Sequence, residues 1–451
     1  MALTRQLARL AKILVDSEGI GFPEAEARLR ALTLEIVVGE DAASVAAHAA
    51  VLTAASVGHR SFVGGVRVVG HGDRPLNSAL PLKSRTLADA AREVGALGFE
   101  GPASRHVFVG NSPSQGVWEV AAWCDGWRAG VCKVESARWG DSTNPLTGIA
   151  AGALAVGAAF QAARGIEPDW TAEVDLWPAA GGEVPAFAEV FLPGALWLIG
   201  LGNLGQAFLW TLGALPYQDA PDVELVLVDR DRISEENWAT SVLVHEEVYG
   251  ALKTKTGEAW CEAKGFKVRR VDRRIMPGDR LDDHDPRIAL SGVDNEGARR
   301  LMANIGFECI VDAGLGRKAA DFDRYRVTVF DADYRIDAHF TPTATDVQDN
   351  DHAPPGGQDI VPETEAYRAL EAEIGRCGAA EIAGASVAAP YVSAVVAAIV
   401  IARTISLFSG CGGVRSEVGK IRAIKSRRLV EGAPVALRTS MHAGRPKIGF
   451  R

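Results

Sequence analysis

The chain lacks paired cysteines and an excess of positive charge. Its six cysteines are scattered and form no Cys-x-x-Cys pair, which argues against a disulfide framework and against a cysteine zinc site. The net charge is −9 over 451 residues, whereas a nucleic-acid-binding protein presents a basic face to phosphate. These absences indicate a protein of the reducing cytoplasm that has no nucleic-acid partner.

The chain also lacks a clear membrane segment. Its most apolar stretch, residues 383–405, is rich in alanine and other small residues, which predicts a buried helix and no membrane partner. The opening residues are not followed by the apolar segment of a signal peptide, so we expect none. A chain of this length is expected to form two domains.

Apolar strands alternate with helices in both parts of the sequence. Strands are expected at residues 34–39, 66–70, 107–110, 196–200, 223–228 and 308–313, and helices at 44–55, 145–163, 203–214 and 390–407. The alternation predicts an α/β fold with parallel sheets. Residues 39–44 lie where 200–205 lie in the second part, but without its glycines. We therefore expect an intramolecular pseudo-dimer of Rossmann-like halves, the first of them degenerate, with two unrelated α/β layers as the alternative.

Proline and glycine content sets the expected boundaries. The stretch 168–194 is rich in both residues, so we place a linker at 176–194, after a first domain at 1–175. The second domain is expected at 195–420, and a basic C-terminal strand and tail at 421–451. Residues 415–451 carry ten Lys or Arg against two Glu, which favours a solvated segment over a docking site for an acidic carrier.

A glycine-rich turn follows the first strand of the second domain. Gly200 permits the turn, Gly202 lets the backbone approach a phosphate, and Gly205 lets helix and strand pack closely. Alone, this pattern is typical of an NAD-binding oxidoreductase. Asp229 ends the next strand, where a carboxylate accepts hydrogen bonds from a ribose, and it fits NAD and ATP equally well.

The residues beyond that strand favour a triphosphate. Asp231 and Asn237 lie in a polar loop, and the ammonium of Lys253 could neutralise phosphate charge, although alone it could be a solvated surface lysine. Asp294 follows an apolar strand, where one carboxylate suits Mg²⁺; with Asn295 it could instead cap a helix. Together, in this order, these residues predict a site for Mg²⁺ and ATP.

This ordered set resembles the ThiF/MoeB superfamily, which includes the ubiquitin-activating enzymes, over about residues 195–410. The family reads Gly-x-Gly-x-x-Gly, Asp-x-Asp, an Asn-Leu-x-Arg-Gln box, Gly-x-x-Lys and Asp-Asn. The nucleotide-binding positions carried over are Gly200, Gly202, Asn203, Leu204, Gly205, Asp229, Asp231, Asn237, Lys253, Asp294 and Asn295, with Ile233 and Gly250 as further matches and Asp294 as the Mg²⁺ ligand.

The resemblance implies two ThiF-type adenylation domains in tandem and an activating enzyme. Such enzymes use Mg²⁺ and ATP to adenylate the C-terminal glycine of a ubiquitin-like or sulfur-carrier protein, and many then form a thioester and pass the acyl group to a conjugating enzyme. The Ala-, Gly- and Arg-rich composition favours a bacterial conjugation system. The sequence leaves open whether the pseudo-dimer is monomeric or dimerises further.

Two regions bear on the arginines that the family uses to bind ATP phosphates. The N-terminal segment resembles the family opening whose arginine reaches the partner's ATP phosphates, so Arg5 is the candidate, with Arg9 in reserve; a solvated helix face is the alternative. Thr240 stands where the family box has arginine, so one phosphate contact is missing. The zinc cysteines of many bacterial members are also missing.

Cys377 is the candidate nucleophile implied by the family. It precedes residues 383–390, which resemble the family's Ala-Gly-Val-x-x-Pro motif, and it follows a predicted crossover loop at 341–364 and an acidic helix at 365–374. Neighbouring Arg376 would help hold a thiolate. Cys411, between glycines, is the second candidate. The alternatives to a thioester-forming enzyme are an adenylating enzyme without the thioester step, a non-catalytic scaffold and an NAD-binding Rossmann protein.

Overall fold

The computed structural model describes most of the chain. The described residues are 5–111, 119–134, 140, 142–177, 183–340, 361–409, 413–433, 435, 437–438 and 442–447. Most of the predicted crossover loop (341–360), part of the predicted linker (178–182) and Cys411 therefore lie outside the described residues.

The first half is built on a six-stranded sheet. Its strands are β1 (Thr33–Val38), β2 (Gly65–Gly70), β3 (Arg105–Val109), β4 (Glu119–Asp125), β5 (Arg128–Lys133) and β6 (Glu173–Asp175). Its helices are α1 (Ala8–Glu18), α2 (Phe22–Ala31), α3 (Val45–Gly58), α4 (Leu87–Glu93) and α5 (Pro145–Ala163). The strand order is β2-β1-β3-β4-β5-β6, parallel from β2 to β4 and antiparallel beyond.

The second half is built on an eight-stranded sheet. Its strands are β7 (Ala195–Ile199), β8 (Glu224–Val228), β9 (Lys267–Val271), β10 (Ile288–Ser291), β11 (Cys309–Leu315), β12 (Arg324–Phe330), β13 (Gly413–Lys420) and β14 (Arg428–Gly432). Its helices are α6 (Asn203–Ala214), α7 (Lys253–Lys264), α8 (Glu296–Met302), α9 (Ile336–His339), α10 (Glu365–Gly384) and α11 (Pro390–Phe408). The order is β14-β13-β12-β11-β10-β7-β8-β9, parallel from β9 to β11 and antiparallel beyond.

The two halves share one topology. In each, the first strand pairs with the second on one side and with a later strand on the other, and antiparallel strands follow the parallel set. The second sheet adds one strand at each edge, β9 and β14. The first βα unit, β1–α3, corresponds to β7–α6, and the long helices α5 and α11 each precede the antiparallel strand β6 or β13. This matched order supports a duplication and makes two unrelated layers a poor description.

Apolar helices form the contact between the halves. Helices α5 and α11 are each long and apolar enough to span a membrane, yet 89% of the apolar window in each is buried inside the protein. The rings of Phe160 and Tyr391 lie 6.1 Å apart across this contact, and Trp210 Nε1 of α6 donates to Thr53 Oγ1 of α3 at 3.1 Å. Residues 145–163 and 390–408 are therefore core helices of the fold.

One expectation needs correction. The sheets are mixed and not wholly parallel, because β5 and β12 each return beside the preceding parallel strand. Residues 173–175, at the end of the expected first domain, form β6. Near the end of the chain, β14 is an exposed edge strand, and His442 then pairs with Pro193 of the linker.

Candidate functional site

The glycine turn between β7 and α6 has the backbone geometry of a phosphate-binding loop. Gly200 has φ +87°, a value that favours glycine. A Cβ on Gly205 would lie 2.0 Å from the Gly200 carbonyl oxygen, so only glycine lets the helix start so close to the strand end. A Cβ on Gly202 would meet no heavy atom of the described residues within 4 Å, so the space beside Gly202 is open among them.

Asn203 leaves two polar atoms without partners at the start of α6. Its Oδ1 and Nδ2 are both buried and make no hydrogen bond within the described residues. The neighbouring Leu204 is buried against the turn that follows β10, where Gly292 lies close enough that a Cβ there would be 3.1 Å from Leu204 Cβ. Unpaired buried polar atoms are costly, and the helix N-terminus favours anions, so this end of α6 is suited to a polar, negatively charged ligand.

Asp229 connects two loops through its carboxylate. Its Oδ2 accepts from the Leu201 backbone N–H at 2.7 Å, and its Oδ1 accepts from the Asp231 N–H at 2.8 Å. The side chain thus fixes the glycine turn against the loop after β8. Each carboxylate oxygen has a second lone pair, so a ribose hydroxyl could still be bound.

Asp231 and Lys253 are brought together, although they are far apart in sequence. Lys253 Nζ lies 3.0 Å from Asp231 Oδ2, and the Lys253 N–H donates to the Asp231 carbonyl at 2.9 Å. Backbone bonds between Ile233 and the turn at Gly250 and Ala251 hold the two segments side by side. The lysine side chain is only 12% exposed. It is therefore not a solvated surface lysine but a fixed cation at the start of α7.

Asn237 and Thr240 both serve the local backbone. Asn237 Oδ1 accepts from the Ser234 N–H at 3.0 Å, and its carbonyl accepts from the N–H groups of Thr240 and Ser241. Thr240 is 1% exposed and its hydroxyl also points to that carbonyl, at 3.3 Å. The position where the family box has arginine is therefore buried inside the loop.

The loop after β10 carries the predicted metal ligand. The Gly292 N–H donates to the Ile199 carbonyl at 2.9 Å, which sets this loop beside the glycine turn. Asp294 is exposed there, whereas Asn295 Oδ1 accepts from the Ala298 N–H at 2.7 Å and caps α8. Asn295 thus has the capping role that was its alternative. No cluster of three or more His, Cys, Asp or Glu occurs among the described residues, so a metal here would rely on Asp294 and phosphate oxygens.

A buried charge network that sequence reasoning missed supports this loop. Asp312 is fully buried on β11 and accepts from Ser291 Oγ at 2.7 Å, Arg299 Nε at 2.9 Å and Arg326 Nη2 at 2.7 Å. Arg299 also donates to the Val293 carbonyl at 2.5 Å, beside Asp294. Burial lowers the pKa of Arg326. An aspartate inside the apolar strand Cys309–Leu315 was the available signal, because such a residue needs a partner.

The N-terminal segment reaches the second half within the same chain. Gln6 Nε2 donates to Glu246 at 3.0 Å and to Tyr249 at 2.8 Å, and Arg9 Nε pairs with Glu236 at 3.2 Å. Arg5 is exposed at the start of this segment. The arginines are thus placed beside the loop that follows Asp231, and Arg9 is engaged by a carboxylate there.

Cys377 is exposed on α10. The acidic helix predicted to end at residue 374 is interrupted at Gly375, where φ is +77°, and then continues through the cysteine. Helix α10 rests on α1: Tyr367 donates to Asp16 at 2.9 Å, and Lys12 donates to backbone carbonyls at the other end of the helix. Cys377 therefore lies on a helix that packs against α1 of the first half, and not in a loop.

The strand order gathers these elements at one edge of the sheet. Strand β7 lies between β8 and β10, and the carboxyl ends of all three carry the predicted residues. The chain moves from β7 to β8 on one side and later to β10 on the other, which is the switch point where α/β sheets bind ligands. An open glycine turn, a ribose-type carboxylate and a fixed lysine can bind a nucleotide and stabilise charge on its phosphates.

Comparison with known proteins identifies relatives of both halves. Family models for the BilD N-terminal and C-terminal domains match residues 33–173 and 192–411. The bacterial E1-like protein BilD of Collimonas sp. (strain OK412) is 32% identical over 421 residues, 90% of this chain and 89% of that protein. Crystal structures of E. coli MccB with succinimide and with ATP are 13% and 14% identical, with TM-scores of 0.33 and 0.32, covering 57% and 58% of this chain and 67% and 66% of theirs. Similarity at those TM-scores does not locate functional residues.

Proposed function

The chain belongs to the BilD family of bacterial E1-like proteins, and from that membership we propose that it adenylates the C-terminal carboxylate of a protein substrate with ATP. The observation that carries the proposal is the arrangement around the glycine turn. Among the described residues, Gly202 leaves open space and Asn203 has two buried polar atoms without a hydrogen-bond partner. Asp229 and Lys253 are held by hydrogen bonds at the same sheet edge.

Each residue has a role in the proposed reaction. The turn at Gly202 and the N-terminus of α6 bind phosphate oxygens, and Asp229 binds the ribose. The substrate carboxylate attacks the α-phosphorus, the bond to the β-phosphate oxygen breaks, and pyrophosphate leaves. Lys253 stabilises the charge on the phosphates, and Arg5 is proposed as a second cation. Mg²⁺ bound to Asp294 and phosphate oxygens would neutralise further charge on the leaving group.

We further propose a ubiquitin-like protein ending in glycine as the substrate and a conjugating-enzyme-like carrier as the acceptor. The exposed Cys377 supports this second step. Its thiolate attacks the acyl carbon of the adenylate, AMP leaves, and the resulting thioester passes the acyl group to the cysteine of the carrier.

The first half is proposed to be the inactive one. A Cβ on Gly39, in the turn that corresponds to the glycine turn, would lie 2.2 Å from the Asn111 carbonyl oxygen, so its own backbone fills the space. Asp41 accepts from the Asn111 N–H at 2.6 Å, and Arg74 donates to the Gly39 carbonyl at 3.2 Å. These contacts leave little room for phosphate in the first half.

Exchange of pyrophosphate into ATP tests the adenylation step. The protein is assayed with Mg²⁺ and a ubiquitin-like protein ending in glycine, preferably one encoded beside it, and we expect exchange only when that protein is present. Lys253→Met should abolish most of the exchange, because it removes the fixed cation and leaves a side chain of similar length. Absence of both exchange and ATP binding would favour the non-catalytic scaffold.

Non-reducing gels test the thioester step. A reductant-sensitive adduct should form and be lost in Cys377→Ala, while pyrophosphate exchange remains. Cys132→Ala is the control, because Cys132 is a half-buried cysteine on β5 of the first half. Exchange without any adduct would leave an adenylating enzyme without thioester chemistry, and loss of exchange in Cys377→Ala would contradict the separation of the two steps.

A further inference from the structure

Arg60 of the first half is buried against the site of the second half. It follows α3 and is 3% exposed. Its Nη1 donates to the carbonyl of Trp238 at 2.7 Å, and its Nη2 donates to the carbonyls of Val242 and Val244 at 3.0 and 2.9 Å. One side chain thus gathers three backbone acceptors of the loop that follows Asn237.

The guanidinium of Arg60 is buried without a carboxylate partner among the described residues. Burial lowers its pKa to about 9, so the guanidinium remains charged at neutral pH. Its hydrogen bonds to the described residues go to carbonyl oxygens, and its guanidinium carbon lies 5.7 Å from the centre of the Trp238 ring. Among these residues its Nε has no hydrogen-bond partner and the phenol of Tyr249 is nearby. A buried cation without an anionic partner is costly, so Arg60 depends on these carbonyl oxygens to compensate for the loss of water.

The loop held by Arg60 is tied to the glycine turn by Gln206. The Oε1 of Gln206 accepts from the Leu243 N–H at 3.0 Å, and its Nε2 points to the Leu201 carbonyl at 3.3 Å. The Leu201 N–H in turn donates to Asp229. Gln206 is 3% exposed, so these bonds do not compete with water. A continuous set of hydrogen bonds therefore runs from Arg60 to the predicted ribose ligand.

We infer that Arg60 is a positioning residue through which the first half sets the shape of the glycine turn. The inference rests on the proposed nucleotide site. Thr240, buried in the middle of the held loop, brings no cation to the phosphates. The loop contributes its fixed shape instead. That shape depends on Arg60, a residue of the first half. Trp238 packs edge-on against His59 at 5.4 Å, which adds a second contact from the same turn of the first half.

Hydrogen–deuterium exchange combined with kinetics tests this inference on the full chain. Arg60→Met keeps the length and removes the donors, Arg60→Lys keeps a donor and the charge, and Gln206→Met breaks the connection on the other side. Thr53→Val is the matched control, because it removes the 3.1 Å hydrogen bond from Trp210 at the same interface without touching the loop. Exchange is followed in peptides covering 199–206 and 238–250.

Arg60→Met is expected to speed exchange in both peptides and to raise the KM for ATP about tenfold, with kcat changed less than about twofold, because the turn is displaced but the reacting groups remain. Arg60→Lys should restore part of both effects, and Gln206→Met should affect 199–206 more than 238–250. Thr53→Val should leave both peptides and the KM unchanged.

A lower melting temperature in Arg60→Met with normal exchange at 199–206 and a normal KM would overturn the inference, because that is the result of a purely structural role. If the wild-type protein does not bind ATP at all, the proposed function fails. Deuterium exchange in the peptide 199–206 then decides by itself whether Arg60 sets the shape of the glycine turn. If Arg60→Met does not fold, Arg60→Lys and Gln206→Met decide it by the same two readouts.

Discussion

Alanine at Gly202 should separate nucleotide binding from folding. Gly202 precedes α6 in an extended conformation, with φ −73° and ψ −151°, and a Cβ there would meet no heavy atom within 4 Å in the part of the chain that the structure describes. Replacing such a glycine restricts the unfolded chain, so Gly202→Ala should stabilise the protein by about 0.4–1 kcal/mol or leave it unchanged. The free protein gives no reason for a loss of stability.

The bound nucleotide should respond in the opposite way. A phosphate oxygen accepting from this turn lies about 2.9 Å from a backbone nitrogen, whereas a methyl carbon keeps other heavy atoms at about 3.5–4 Å. The new methyl group would therefore displace the phosphate. We expect at least a tenfold weaker affinity for ATP, about 1.4 kcal/mol. Titration calorimetry with ATP and urea unfolding, on the same samples, measure the two effects.

Gly205→Ala is the control for a true internal clash. Its Cβ would lie 2.0 Å from the Gly200 carbonyl oxygen, and backbone has to move to admit it. Overpacking of this kind costs about 1–3 kcal/mol, so this variant should lose both stability and affinity. If Gly202→Ala binds ATP as tightly as the wild type, the open space is not where phosphate binds and the assignment of the turn is wrong.

Two further predictions concern buried charges. Asp312→Asn leaves Arg299 and Arg326 without their carboxylate and should lower the free energy of unfolding by about 3 kcal/mol in urea; a loss below about 1 kcal/mol would contradict the network. Burial lowers the pKa of Lys264 to about 7 from 10.5, so the unfolded chain binds more protons between those values and stability should rise with pH across that window. Lys264→Met should flatten the rise in urea midpoints between pH 7 and 9.

The sequence was sufficient for the elements that local patterns determine. The strand–turn–helix at Gly200 follows from apolar runs and glycine spacing, and the corresponding β1–α3 unit follows from the same spacing without the glycines. The antiparallel strands were not predicted, because β6 is three residues long and the direction of β12 depends on where the chain returns. The mixed sheets were therefore missed although the α/β class was correct.

Contacts between residues that are distant in sequence limit how much of the candidate site can be predicted. Asp231 and Lys253 could be expected at one edge, but their 3.0 Å pair depends on how two loops cross. Asn295 could equally bind or cap, and only its bond to the Ala298 N–H distinguishes the two. Arg60 carries no motif and lies 178 residues from Trp238, so no local pattern points to it.

The positions of tight glycine packing explain how two halves of one topology come to differ. In the first half, a Cβ on Gly148 or Gly152 of α5 would lie 2.0 or 2.3 Å from a carbonyl oxygen of α3, so these glycines let two helices pack backbone to backbone. In the second half, α11 contains no glycine. The close contact there is at Gly205 of α6, whose Cβ would lie 2.0 Å from the Gly200 carbonyl oxygen in the turn that precedes that helix. Glycines thus allow α5 to pack closely on α3 in the first half, and they allow α6 to begin close to the end of β7 in the second half. The closely packed first half can hold the loop after Asn237 through the buried Arg60. We therefore expect variants at Arg60 to change the KM for ATP before they unfold the protein.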